Sequence, residues 1–132
     1  MSPEALDQTL DTKSFESFKM ADMYSLGLVL WEMSRRCVTT NPSSKANACE
    51  DYAMPYYDFV PSDPSFEDMY DAVCVKGIRP IIPPRWQQEQ ILATLSKIMQ
   101  ECWHHNPAVR LTSLRVKKSL SKLDPETKIN MV

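Results

Sequence analysis

The sequence predicts an all-α domain of about five helices joined by long, proline-punctuated loops, and three observations carry that expectation. Large apolar side chains recur at helical spacing in several segments. No run of roughly four to eight residues alternates apolar with polar or is dense in β-branched side chains, as a half-buried strand requires. Most of the ten prolines lie between the periodic segments, where a fixed φ and a missing N–H stop a helix from continuing. With 132 residues, 43% of them apolar, the chain is long enough for one domain with a real core.

Met1-Ser-Pro-Glu-Ala-Leu-Asp7 reads as a short helix, with Ser2 as N-cap, Pro3 at the first helical position and acidic side chains facing the positive end. Asp7 to Ser17 is polar and reads as loop. A second helix is expected from about Phe18 to Arg36, with large apolar side chains at 20, 23, 24, 26, 28 to 31 and 33 covering nearly every face. A helix apolar all round belongs in a core. Asp22 sits in the first turn of this expected helix, where the dipole favours a carboxylate.

Residues 37 to 65 break the pattern, since Asn41-Pro-Ser-Ser-Lys-Ala-Asn47 and Pro55, Pro61 and Pro64 deny regular structure. Ser62-Asp-Pro-Ser-Phe-Glu-Asp-Met69 supplies an N-cap for a third helix running to about Val75. Ile78 to Trp86, with three prolines, reads as an extended connector. The fourth helix has the clearest period, because Ile91, Leu92, Leu95, Ile98, Met99 and Cys102 form one stripe. After the turn His105-Asn-Pro107, a last helix is expected to carry Leu111, Leu114, Leu120 and Leu123 inward. Arg115, Lys117, Lys118 and Lys122 then lie mostly on other faces. Residues 124–132 have no periodicity and read as a C-terminal tail.

Composition excludes several function classes. Fifteen basic against 17 acidic residues give no bulk signal for a polyanion such as nucleic acid. The longest apolar run, Leu26 to Trp31, is far short of the roughly 20 residues of a membrane-spanning helix. Cys37, Cys49, Cys74 and Cys102 form no C-x-x-C pair, which argues against a zinc knuckle or a disulfide framework. Cys102-Trp-His-His105 gathers a thiol and two imidazoles, but without a second ligand pair at metal spacing it reads as a helix-end turn. The only glycines are Gly27 and Gly77, and two isolated glycines cannot build a loop whose backbone N–H groups wrap a phosphate. No nucleotide-binding glycine loop is therefore encoded in these residues.

Three features in fixed order go beyond fold class: Ser2-Pro-Glu4, then Asp22-Met-Tyr-Ser-Leu-Gly27 heading the apolar helix, then Trp103-x-x-Asn-Pro-x-x-Arg110 before the last helix. In this order the sequence resembles the C-terminal lobe of a eukaryotic protein kinase. Ser2-Pro-Glu4 matches the A-P-E end of the activation segment, with serine in place of alanine. Further matches at Ser62–Met69, Val73-Cys-Val75, Arg79-Pro80, Pro83, Arg85-Trp86 and Arg110–Lys118 are similar to the type I receptor serine/threonine kinases of the transforming growth factor β superfamily. Met20–Ser25, Arg35–Cys37 and Tyr56–Asp58 fit the bone morphogenetic protein branch best. The resemblance covers residues 1–123 as a partial kinase domain, and Val38 to Glu50 departs from the family pattern in being longer and glycine-free.

The resemblance implies structural roles for Pro3, Glu4, Asp22, Gly27, Trp103 and Arg110. Glu4 and Arg110 would form a largely buried ion pair, and Asp22 would accept hydrogen bonds from the backbone of a catalytic loop. Arg115, Lys117 and Lys118 would belong to a segment associated with signalling competence. The implied parent is a single-pass membrane receptor with this segment on the cytoplasmic side. It would use ATP with Mg or Mn to phosphorylate Smad-type proteins, in company with a type II receptor kinase. The chain itself has no catalytic, cofactor-binding or metal residues of that machinery, so it is expected to be inactive alone. The alternative is a truncated, non-catalytic kinase lobe acting as an interaction module.

Overall fold

A computed structural model of the chain describes residues 1–40 and 47–123. Five α-helices carry the described part: α1 (Pro3–Leu6), α2 (Phe15–Arg35), α3 (Phe66–Tyr70), α4 (Gln90–Cys102) and α5 (Ser113–Ser121). The expected all-α architecture of a kinase C-terminal lobe is the one observed. The centre of the Val38–Glu50 loop and the tail from 124 onward lie outside the described residues.

Four of the helices have a local reason for where they start. Pro3 occupies the first turn of α1 behind Ser2, although the Ser2 hydroxyl makes no capping bond. α3 begins with a full capping box, in which the Asp68 N–H donates to Ser65 Oγ at 3.1 Å and the Ser65 N–H donates to Asp68 Oδ2 at 3.0 Å. α4 is capped by the Glu89 carboxylate, which accepts from the Leu92 N–H at 2.9 Å, and α5 by Thr112, which accepts from the Arg115 N–H at 3.2 Å.

The core lies where α2 and α4 cross. Tyr24, Trp31, Trp86, Leu92, Met99 and Trp103 form its main cluster with Leu6, Tyr56 and Val73, and Met23, Ile98, Cys102 and Val116 form a second one. Gly27 makes the close crossing possible. A Cβ there would stand 3.0 Å from the Met99 carbonyl oxygen and 3.1 Å from Cys102 Cβ.

Several expectations are corrected. α2 starts at Phe15, three residues before the expected start, so Glu16 is its first-turn acid and Asp22 lies well inside the helix. Nor is α2 enclosed on all sides: Phe15, Phe18, Val29 and Met33 are exposed. With Asp22 they fall at spacings of 3, 4, 7 and 4, so one flank of the helix faces outward. Beside the helices, Thr39–Thr40 pairs antiparallel with Asn47–Ala48 in a short ladder that leaves the all-α class intact. Alternation is undetectable in two residues. The helix begun by α3 continues as a π-helical turn over Asp71–Val75, and the proline connector ends in a 3₁₀ turn over Pro84–Gln88. In α5 the buried residue is Val116, whereas Leu114 is exposed.

Gly27→Ala weighs helix propensity against this crossing. Alanine gains up to about 1 kcal/mol in a helix interior, but overpacking against a backbone carbonyl costs about 1–3 kcal/mol. The variant is expected to have a lower urea midpoint than the parent chain; a higher midpoint would mean that α2 and α4 need no close approach at this point.

Candidate functional site

Arg110 is the centre of the site. Its Nη1 donates to Glu4 Oε2 at 2.7 Å and its Nη2 to Glu4 Oε1 at 2.9 Å, a bidentate pair with side chains 0% and 9% exposed. Its remaining N–H groups donate to the carbonyls of Met20 at 2.8 Å, His104 at 2.8 Å and His105 at 3.3 Å. The Asn106 side chain accepts from the Ala108 N–H and opens a 3₁₀ turn, Pro107–Val109, that carries Arg110 inward. Burial by itself would raise the Glu4 carboxyl, but the Arg110 hydrogen bonds and charge hold it below its ordinary value.

Tyr24 lies fully buried under this pair. The guanidinium of Arg110 sits 5.3 Å from its ring centroid and that of Arg79 sits 5.2 Å away. Arg79 is itself fixed by the carbonyls of Trp103, Val73 and Ile78. The Tyr24 and Tyr56 hydroxyls hydrogen-bond each other, and burial raises both above the ordinary phenol value.

A second arginine centre was not singled out from sequence. Arg85 donates to Glu50 through Nε at 2.6 Å and Nη2 at 2.8 Å, and the Trp86 Nε1–H donates to the same carboxylate at 2.9 Å. Arg85 Nη2 also reaches the carbonyls of Ser34, Arg35 and Cys37 around the end of α2, adding to the backbone N–H bonds that Ser34 and Arg35 already accept from Cys37 and Glu50. Burial would raise the Glu50 carboxyl; Arg85 and Trp86 reverse the sign and lower it. A glutamate isolated within a polar loop gives no pattern to read, and the only available signal was the pair Arg85-Trp86.

The other sequence-predicted residues divide. Pro3 starts α1, and Gly27 and Trp103 are buried at the α2–α4 packing. Asp22 is exposed and lines a cavity of about 480 Å³ between α2 and residues 107–113, together with Lys19 and Arg110. Arg115, Lys117 and Lys118 are exposed on α5, away from the Glu4–Arg110 pair. The arrangement can position backbone, but it offers no activated nucleophile. Burial pushes the Cys102 thiol up to about 11, and the Cys74 thiol, also raised by burial, donates to the Pro3 carbonyl at 3.3 Å. His104 Nδ1 accepts from the Asn106 N–H at 3.1 Å, a turn contact.

Two outcomes follow for the paired carboxylates. Removing one partner strands a buried charge, so Arg110→Ala should cost about 3–5 kcal/mol in urea unfolding, while an exposed-pair control, Lys19→Ala, should change it by less than about 1 kcal/mol. Because the folded Glu4 and Glu50 values lie below the unfolded value of about 4.3, their stabilisation is present above that pH and is lost as pH falls through the folded values. Glu4→Gln/Glu50→Gln is therefore expected to flatten the decline in midpoint between about pH 5 and 3. An unchanged acid slope in the double variant would assign acid unfolding to other groups.

No protein-family model matches the chain. Residues of the chain align with TGF-beta receptor type-1 from Homo sapiens at 52% identity over 131 residues, covering 99% of the chain. Activin receptor type-1B from Mus musculus aligns at 48% over 131 residues, and activin receptor type-1 from Gallus gallus at 50% over 124 residues. The chain spans about a quarter of the length of these relatives, 25%, 25% and 23% respectively. Over the aligned residues the chain belongs to the type I receptor kinases of the transforming growth factor β superfamily.

Proposed function

We propose that this chain is the helical base of a receptor serine/threonine kinase domain, with residues 1–123 as the lobe portion and residues 124–132 as a tail. The parent transfers the γ-phosphoryl of ATP, held with Mg or Mn, to serines of Smad-type proteins, and works with a type II receptor kinase. The parent is anchored in the membrane, with this segment on the cytoplasmic side. Among the described residues no helix is long and apolar enough to cross a membrane. The bone morphogenetic protein branch is the finer part of the proposal, resting on Met20–Ser25, Arg35–Cys37 and Tyr56–Asp58.

The observation that supports the reading most is the bidentate Glu4–Arg110 pair, which ties Ser2-Pro-Glu4 to the turn before the last helix across a sequence separation of 106. The open flank of α2 agrees with it. Phe18, Asp22 and Val29 form a mixed surface of the kind a packed catalytic loop would cover, with Asp22 accepting its backbone N–H groups. Phosphoryl transfer needs metal-held phosphates and a base on the attacking hydroxyl, and these 132 residues supply neither a phosphate-binding glycine loop nor such a base.

Two assays test the proposal together. The 132-residue chain, given radiolabelled ATP, Mg or Mn and a Smad C-terminal peptide, should transfer no label; label incorporation would overturn its inactivity. Residues 1–123 grafted in place of the aligned quarter of TGF-beta receptor type-1 should sustain Smad phosphorylation. Asp22→Ala in that graft should lower kcat by up to about a hundredfold through loss of loop positioning. An inactive graft with normal folding would reject the assignment as a kinase base.

A further inference from the structure

The even bulk charge hides a segregation. Residues 102–123 hold five of the 15 basic side chains and none of the 17 acidic ones. Arg110 is neutralised by Glu4, which leaves Arg115, Lys117, Lys118 and Lys122. All four are exposed, and none joins an ion pair among the described residues. At 100° per residue they fan across the outer half of α5, with Leu114, 58% exposed, between them. Val116 and Leu120 hold the opposite face to the second core cluster, so the cations are presented on a packed helix rather than on a loose arm.

Fold stability does not account for this pattern. Lys118 lies in the last turn and Lys122 at the C-cap, where the helix dipole favours cations, but Arg115 lies in the first turn, where it opposes one, and Lys117 lies mid-helix, where it gives no support. No acidic side chain stands three or four residues from Arg115, Lys117 or Lys118 to compensate. We propose that the outer face of α5 is a docking surface for an anionic lipid bilayer. The shape selects this occupant over an acidic peptide. The face is convex, and the cavities of about 470 and 480 Å³ elsewhere on the chain touch α5 only at Ser113. A peptide or single phosphate is gripped in a concavity, whereas a planar sheet of anionic headgroups is met by a fan of lysines around one inserted apolar side chain.

Vesicle flotation, which separates bound protein from aggregate, tests this with the 132-residue chain. The chain should float with vesicles of phosphatidylcholine containing roughly one-third phosphatidylserine at low salt, stay down with phosphatidylcholine alone, and be released near about 0.5 M salt. Lys117→Gln/Lys118→Gln/Lys122→Gln should weaken binding about a hundredfold, at about fivefold per cation, with the same helical circular dichroism. The corresponding triple Lys→Arg variant should retain binding, and Leu114→Ser should weaken it severalfold. Equal flotation with phosphatidylcholine, or undiminished binding of the triple Gln variant, would overturn the proposal. So would tighter binding at the same salt to a DNA duplex or to polyglutamate, which would make the occupant a nucleic acid or an acidic protein.

Discussion

Arg110 keeps a full positive charge where its side chain has no exposed surface, and the rest of the fold is arranged so that this is tolerable. A buried cation is stable only when an opposite charge and enough acceptors replace the water it lost. Glu4 supplies the charge, and the carbonyls of Met20, His104 and His105 supply the acceptors. These partners come from α1, from the first third of α2 and from the turn after α4. Satisfying one guanidinium therefore fixes three segments that are remote in sequence. The turn containing Trp103-His-His-Asn-Pro is used for the direction of its carbonyls, and His104 Nδ1 accepts the Asn106 N–H within it.

The same device recurs at the other end of α2. Arg85 donates to carbonyls around the end of the helix while pairing with Glu50, whose own N–H donates to the Arg35 carbonyl, so the loop that leaves α2 is held at its base even where it is long. Arg35 works in the same place, donating to the Asp51 carbonyl through Nε at 2.9 Å and Nη2 at 2.7 Å. Guanidinium suits this role because its planar fork reaches several acceptors at once and never loses its proton. Lysine could satisfy the charge at either position but not the set of carbonyls. The central helix is thus pinned near both ends, by Arg110 and Arg85 from other elements and by its own Arg35.

What could be read from sequence followed from period and order. The α4 stripe from Ile91 to Cys102, Pro3 at the start of α1, and the spacing of Glu4, Asp22 and Arg110 are all carried by local pattern or by motif order, and the observed helices follow them. The departures have physical causes. α2 begins at Phe15 because Phe15-Glu-Ser17 is helix-compatible, and an apolar side chain exposed on a first turn adds nothing to a core-facing pattern. Leucine's usual place in a core points Leu114 inward, yet α5 packs one face only and Val116 takes it. The Arg85–Glu50 centre was illegible because an ion pair across 35 residues leaves no periodic trace.

Asp22 shows where the chain's chemistry resides. The carboxylates with lowered values are those already committed to arginines, and the raised thiols and phenols are raised by burial. Glu4 and Glu50 each line a cavity, but both are held in bidentate pairs with arginines, and the Tyr56 hydroxyl is engaged by Tyr24. Asp22, in contrast, is held out by a rigid helix on the flank opposite the core, and no described residue hydrogen-bonds its side chain. A carboxylate placed so firmly and left free is suited to orient a partner backbone. The buried arginines beneath it supply the rigidity that such positioning needs, because a scaffold that yields by even an ångström loses the geometry it is meant to impose.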